Sequence, residues 1–189
     1  MRRIGITGGI GSGKSVVSRL LRIMGYSVYD TDSEAKRLME SSLEVVQKLS
    51  ECFGRDIYHN GRLNRGLLSS RVFGKSDKIV LLNSIVHPVV RFDFYRWSES
   101  LNEEICFVES AILYESRFDE LVDEVWTVTA PEELRISRVR QRSGLTEEEI
   151  KKRMAAQLSE EEKQRRAAHI IWNDGNAVSY THLTLPTNS

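Results

Sequence analysis

The sequence predicts an α/β fold built on a parallel sheet and interrupted by a helical excursion. Three observations carry that prediction. The apolar run Ile4-Gly5-Ile6-Thr7 halts in glycines and is followed by residues at helical spacing. Further apolar runs recur at Tyr26–Tyr29, Ile105–Val108 and Val125–Val128, with helical stretches between them. Between the second and third runs lie about seventy residues, too many for a crossover whose loops run about 2 to 6 residues around one helix.

Taken in order, Ile4–Thr7 reads as the first strand. Val16, Val17, Leu20, Leu21 and Met24 then mark one face of a helix that runs up to Gly25, a C-capping residue. Tyr26–Tyr29 is the second strand and ends at Asp30 and Asp32. The long segment that follows has helical periodicity with turn signals at Gly54, Asn60-Gly61 and Pro88, and reads as an inserted helical subdomain. Ile105–Val108 ends at Glu109, and Val125–Val128 ends before Pro131. Glu132 to Arg166 is highly charged and breaks near Ser143-Gly144, which predicts a hairpin of two helices. The last fifteen residues, Gly175 to Ser189, hold no Asp, Glu, Lys or Arg and show no period, so residues 178–189 read either as a natural edge strand or as a non-native terminus.

At 189 residues the chain suits one α/β domain with appendages. The 27 Lys and Arg balance 27 Asp and Glu, which argues against a general nucleic-acid binder. Cys52 and Cys106 lack metal-ligand spacing, so reduced thiols and a cytoplasmic protein are expected. Three glycines spoil the only stretch placed like a signal peptide. No segment reaches the roughly 20 apolar residues that span a bilayer, and no obligate protein partner is evident.

Gly8-Gly9-Ile10-Gly11-Ser12-Gly13-Lys14-Ser15 satisfies G-x-x-x-x-G-K-[ST] between a predicted strand and a predicted helix. Residues without a Cβ let successive amides turn inward around phosphate oxygens, and the helix start adds its dipole. Lys14 is placed for β- and γ-phosphates and Ser15 for Mg²⁺. Asn-Lys-x-Asp, the guanine-reading motif, is absent; Asn173-Asp174 comes nearest. A small-molecule kinase, a nucleotide-dependent binding module and a mechanical ATPase remain, and the first needs a carboxylate at the acceptor and arginines for the transferring charge.

Asp30 and Asp32 share a side if the extended conformation persists, so one can take a hydroxyl proton while the other orients magnesium or its waters. Equally, Asp32 can simply cap a helix beginning Asp-Ser-Glu-Ala-Lys. Glu109 stands where an acid at a strand end reaches magnesium through water, or faces solvent. Arg135, Arg138, Arg140 and Arg142 fall within eight residues with no acid among them. Arg138 and Arg142 share a helix face, as do Arg153 and Gln157. They suit a lid that closes over ATP, or a solvated helix paired with Glu147, Glu148 and Glu149.

With these residues in place the chain resembles dephospho-CoA kinases from Arg3 to about Asn176. The matching segments are Ile6–Ser15, Tyr29-Asp-Thr-Asp32, Asn83-Ser-Ile-Val-His-Pro88, Ala111-Ile-Leu-Tyr-Glu115, Arg138-x-x-x-Arg142, Arg153-x-x-x-Gln157 and Ile171-Trp-Asn-Asp-Gly175. The resemblance implies a P-loop NTPase three-layer αβα fold with a helical substrate insert (33–100), a lid (135–160) and a nucleotide-binding core (1–32, 101–134 and 161–177). It implies transfer of the γ-phosphate of ATP, with Mg²⁺, to the ribose 3′-hydroxyl of dephospho-CoA; another nucleoside or nucleoside-monophosphate kinase is the alternative. It casts Asp32, Lys14, Arg138 and Arg142 as catalytic. ATP falls to Gly9, Gly11, Ser12, Gly13, Lys14, Ser15, Val16, Arg142 and Asn173, and the acceptor to Asp32, Lys36, Arg37, His87 and Glu115. Val16, Lys36, Glu109 and Ala111 depart from the family's usual Thr, Arg, Asp and Pro, and the tail replaces a C-terminal helix.

Overall fold

The computed structural model describes residues 1–174. Gly175, Asn176 and the tail at 178–189 lie outside the described residues. The first elements are β1 (Arg2–Thr7), α1 (Lys14–Ile23) and β2 (Ser27–Asp30). A helical segment follows, with α2 (Thr31–Ser41), α3 (Leu43–Phe53), the short strands β3 (Tyr58–His59) and β4 (Arg62–Leu63), α4 (Arg65–Val72) and α5 (Ser76–Ser100). The chain then returns through β5 (Ile105–Glu109), β6 (Glu124–Thr129), α6 (Glu132–Ser143), α7 (Glu147–Ala155), α8 (Glu160–Arg166) and β7 (His169–Trp172). It forms two compact units, one of residues 1–29 with 102 onward and the other Asp30–Leu101.

In the first unit the strand order is β2-β5-β1-β6-β7. β1 pairs in parallel with β5 and β6, and β6 in parallel with β7. The fifth strand, β7, is not anticipated by the sequence reading, although Ile170-Ile171-Trp172 is apolar enough to signal it. Central position buries β1 on both faces, as parallel sheets covered by helices require. Ile4 and Ile6 join Val17 and Leu21 of α1 with Phe107, Trp126, Val128 and Ile171. Phe107 meets Trp126 edge-on at 5.6 Å and Tyr26 at 5.5 Å. On the opposite face of β1, a Cβ at Gly5 would stand 2.7 Å from Leu113 Cδ1, so that side is equally close-packed. The C-cap of α1 is Met24 rather than Gly25. Gly25 follows it at φ 93, with its N–H on Arg22 and that of Tyr26 on Leu21, the paired bonds of a Schellman motif.

The second unit is mainly helical but contains an antiparallel hairpin, β3–β4, whose Asn60-Gly61 turn has φ of 50 and 75. The turn expected at Pro88 is corrected: Pro88 lies inside the 25-residue α5. Its ring removes one backbone hydrogen bond and disfavours a helix by about 3 kcal/mol. Burial of Ile85, Val86, Val90 and Phe94 along the same helix outweighs that penalty. Tyr58 Oη donates to the Met39 carbonyl at 2.7 Å, tying the hairpin to α2.

The two-helix hairpin expected over 132–166 is likewise corrected to three helices. Gly144 closes α6 at φ 67, and Thr146 opens α7 with a capping box to Glu149. A second break follows at Ala156, where Ser159 caps α8 by accepting from Glu162 N. The residues between are held from outside the helices, since Leu158 N donates to Glu115 Oε1 at 2.6 Å. Phe107 is 1% exposed and central to the core, so Phe107→Ala is expected to lower stability by about 3–5 kcal/mol, read as a shift in the urea unfolding midpoint.

Candidate active site

The loop Gly8–Ser15 joins β1 to α1 and turns at glycines that no other residue can replace without strain. Gly13, the N-cap of α1, has φ 98, and a Cβ there would collide with Asn173 Nδ2. Gly11 has φ 80, and its Cβ would strike the backbone carbonyl of Arg135. The first turn of α1 carries no acidic side chain, so the helix dipole there is available to an anion. Ser15 and Val16 are exposed at that helix start, and Ser12 is buried.

Where a loop's amides serve a ligand, its carbonyls must find donors elsewhere. Lys14 Nζ donates to the Gly8 carbonyl at 2.8 Å and to Gly9 at 3.3 Å. Asn173 Nδ2 donates to the Ser12 carbonyl at 2.9 Å. Arg138 Nη1 lies 3.5 Å from the Gly11 and Ser12 carbonyls, while its Nη2 donates to Asn173 Oδ1 at 3.3 Å. Asn173 is itself fixed by its N–H on the Thr129 carbonyl, 2.8 Å, beyond the end of β7. The structure thus brings Lys14, Arg138 and Asn173 together on the loop. Arg142, one turn on from Arg138, is exposed in the last turn of α6.

Two further contacts to this loop involve residues that the sequence reading did not place on it. Ile10 N donates to Gln157 Oε1 at 3.0 Å, and Gln157 Nε2 donates to the Ala111 carbonyl at 3.4 Å. Arg135 is only 6% exposed and pairs with Glu160 at 3.5 Å. Spacing alone could not separate Arg135 from its three neighbours. Its signal was the helix face it shares with the buried Val139. Glu147 pairs with Lys151, which leaves the arginines of α6 to other partners.

In the second unit the two aspartates have different jobs. The extended conformation stops at Asp30, so the expectation that Asp30 and Asp32 share a strand face is corrected. Asp30 Oδ1 accepts from Asp32 N at 3.0 Å and from Ser33 N at 3.1 Å, and therefore it is Asp30 that caps α2. Asp32 sits in the first turn with its side chain exposed. Lys36 is exposed on the same helix. Arg37 donates to Glu34 at 2.5 Å and Asp93 at 2.7 Å, and these hydrogen bonds raise its pKa. Burial, and then the nearby Arg91, hold the His87 imidazole below its ordinary pKa, which favours its neutral form.

Glu109 closes β5 opposite Ile6 and is half-buried. Together with Ser15 it supplies hard oxygen donors of the kind Mg²⁺ takes. Among the described residues no group of three or more His, Cys, Asp or Glu could hold a metal. A cation that draws most of its ligands from phosphates and water fits such a sparse donor set.

A family model described as dephospho-CoA kinase matches residues 2–179. The chain belongs to the dephospho-CoA kinase family. The chain is 44% identical over 187 residues to a dephospho-CoA kinase of Porphyromonas gingivalis, covering 98% of this chain and 90% of the relative. A Bacteroides fragilis dephospho-CoA kinase is 42% identical, covering 92% of this chain and 85% of the relative. Among solved structures, TT1252 from Thermus thermophilus superposes with a TM-score of 0.80 at 38% identity, covering 93% of this chain and 90% of that one. The dephospho-CoA kinase of Campylobacter jejuni gives 0.69 at 26% identity, covering 96% and 91%. A shikimate kinase from Acinetobacter baumannii, at 0.54, 16% identity and coverage of 92% and 84%, shares the P-loop NTPase fold. The family's members are kinases, and the central parallel sheet flanked by helices is the fold expected of them.

Two substitutions probe these assignments. Gly13→Ala is expected to weaken ATP binding roughly tenfold or more with the far-UV spectrum kept, because strain of about 1–3 kcal/mol falls on the loop itself. Asp30→Ala is expected to lower stability by about 1 kcal/mol, the worth of an N-cap, in a chemical denaturation series.

Proposed function

We propose that this chain transfers the γ-phosphoryl group of ATP to the ribose 3′-hydroxyl of dephospho-CoA, giving coenzyme A and ADP, with Asp32 as the general base. Family membership carries the reaction. The observation that carries the base is that Asp30 takes over the capping of α2 and so relieves the Asp32 carboxylate of that duty. An exposed carboxylate in a helix's first turn can accept the proton as the hydroxyl oxygen attacks phosphorus in line. The proton passes to Asp32, the new O–P bond forms at the 3′-oxygen, and the bond to the β-phosphate bridging oxygen breaks.

Gly9, Gly11 and Gly13 turn their backbone toward the polyphosphate, and Ser12 and Val16, whose N–H groups bond to the Gly9 and Gly13 carbonyls, border it. Lys14, which rests on the Gly8 and Gly9 carbonyls, turns its ammonium to the β- and γ-phosphates. Ser15 would ligate Mg²⁺ and Glu109 would orient its waters, the cation neutralising charge between the two terminal phosphates. Arg142 meets the charge that spreads over the transferring group. Arg138 braces the loop, to which it already reaches in this structure. Asn173 borders the adenine. Residues 135–160 act as the lid, and 33–100 as the insert that binds the acceptor through Lys36, Arg37 and His87, with Glu115 at the lid's base. We place the protein in the cytoplasm, in keeping with the free Cys52 and Cys106 and with the absence, among the described residues, of a helix long and apolar enough to cross a membrane.

A coupled ADP-release assay with dephospho-CoA, adenosine and AMP as acceptors tests the reading. Turnover with dephospho-CoA is expected, and its absence alongside turnover with another acceptor would refute it. Asp32→Asn is expected to lower kcat by about 10²-fold or more with ATP binding kept, as loss of a base does. A near-normal kcat would remove Asp32 from the chemistry.

A further inference from the structure

Behind the phosphate loop lies a buried group of charges that the reaction, as described, does not employ. Glu160 opens α8 with its side chain 14% exposed. Its Oε1 stands 3.5 Å from Arg135 Nη1 and 3.8 Å from Lys163 Nζ, and its Oε2 accepts from Thr129 Oγ1 at 3.2 Å. Gln164 donates in turn to Thr129 Oγ1 at 3.1 Å. Lys163 is fully buried, and among the described residues neither its Nζ nor Arg135 Nε makes a hydrogen bond. Burial lowers the pKa of Lys163, opposed by Glu160 and Glu115 and reinforced by Arg135. Buried charges persist when they are paired, and removing the shared partner leaves them uncompensated. The Glu160 carboxylate lies within ion-pair reach of both basic groups.

The same group rests on the loop. A Cβ at Gly9 would collide with Glu160 Oε1 and Arg135 Nη1, and one at Gly11 with the Arg135 carbonyl. Gly9 therefore answers to a packing demand from behind as well as to the ligand in front.

We propose that Glu160 is a positioning residue for ATP: by neutralising Arg135 and Lys163 together, it keeps Arg135 and the start of α8 seated on Gly9 to Gly11. The loop then holds its phosphate-binding shape before ATP arrives, so no binding energy is lost in ordering it. The inference rests on the reading of Gly8–Ser15 as the ATP loop.

Glu160→Gln preserves shape but leaves Arg135 and Lys163 without the carboxylate they share. Calorimetric titration with ATP is expected to show Kd raised about tenfold or more, with the KM for ATP following and that for dephospho-CoA changing less than about threefold. Adding Lys163→Met removes one cation and is expected to recover about threefold or more of the lost ATP affinity, although it deletes a second native side chain. A purely structural cluster would behave otherwise: the double variant would bind ATP no better than Glu160→Gln, or both KM values would rise together. Either result overturns the proposal. Should Glu160→Gln not fold, the double variant decides alone: a Kd within about tenfold of the unsubstituted protein supports the proposal, and a weaker one overturns it. Unsubstituted protein that binds no ATP would refute the loop reading and this inference with it. Protein that binds ATP but spares dephospho-CoA would refute only the acceptor and leave the calorimetric comparison decisive.

Discussion

The carbonyls of the phosphate loop are the constraint on which the rest of the first unit depends. A loop that offers its N–H groups to an anion must send its C=O groups outward, where burial without donors would be costly. Lys14, Arg138 and Asn173 supply those donors from three places in the sequence, the loop's own helix, α6 and the end of β7. The strand order follows the same demand. β1 leads into the loop from the middle of the sheet, and β6 beside it and β7 beyond β6 deliver the segments that carry Arg138 and Asn173. The glycines answer this crowding, since a side chain at Gly13 would occupy the place of Asn173 Nδ2.

The four arginines near α6 show how one charge type is put to different uses by position on a helix. Arg135 shares a buried face with Val139 and is drawn into an ion pair with Glu160. Arg138 lies part-buried along the loop, and Arg142 is exposed one turn later. Desolvation separates these roles. A guanidinium that is 7% exposed must be paired within the protein, whereas an exposed one remains available to a ligand. The break between α7 and α8 has a similar origin, because the Leu158 N–H bonds to Glu115 and the Gln157 side chain to Ile10.

Much of the fold and of the site was legible in the chain. The glycine loop, the strand runs at Ile105 and Val125 and the length of the insert announced themselves through local pattern. So did the Asn60-Gly61 turn, although not the hairpin it closes. Local signals misled at Pro88, because the ring's preference for ending a helix is weaker than the burial of Val90 and Phe94 beyond it. They also left the two aspartates unresolved, since Asp30 and Asp32 have the same side chain and differ only in where the extended backbone stops. At Arg135 and Lys163 the sequence shows ordinary charged helix residues, and their burial depends on partners that come from other elements.

By itself, then, the sequence determined what backbone chemistry can encode nearby: a phosphate cradle between a strand and a helix, a parallel sheet, a long helical insert, and through its ordered motifs the resemblance to dephospho-CoA kinases. The tertiary structure decided which of several equivalent side chains does which task. It assigned the capping of α2 to Asp30, the bracing of the loop to Arg138 and Asn173, and the buried charge behind Gly9 to Arg135, Glu160 and Lys163. The reason is physical. Propensity and periodicity act over a few residues, whereas desolvation and hydrogen-bond satisfaction are settled only when distant segments close on one another.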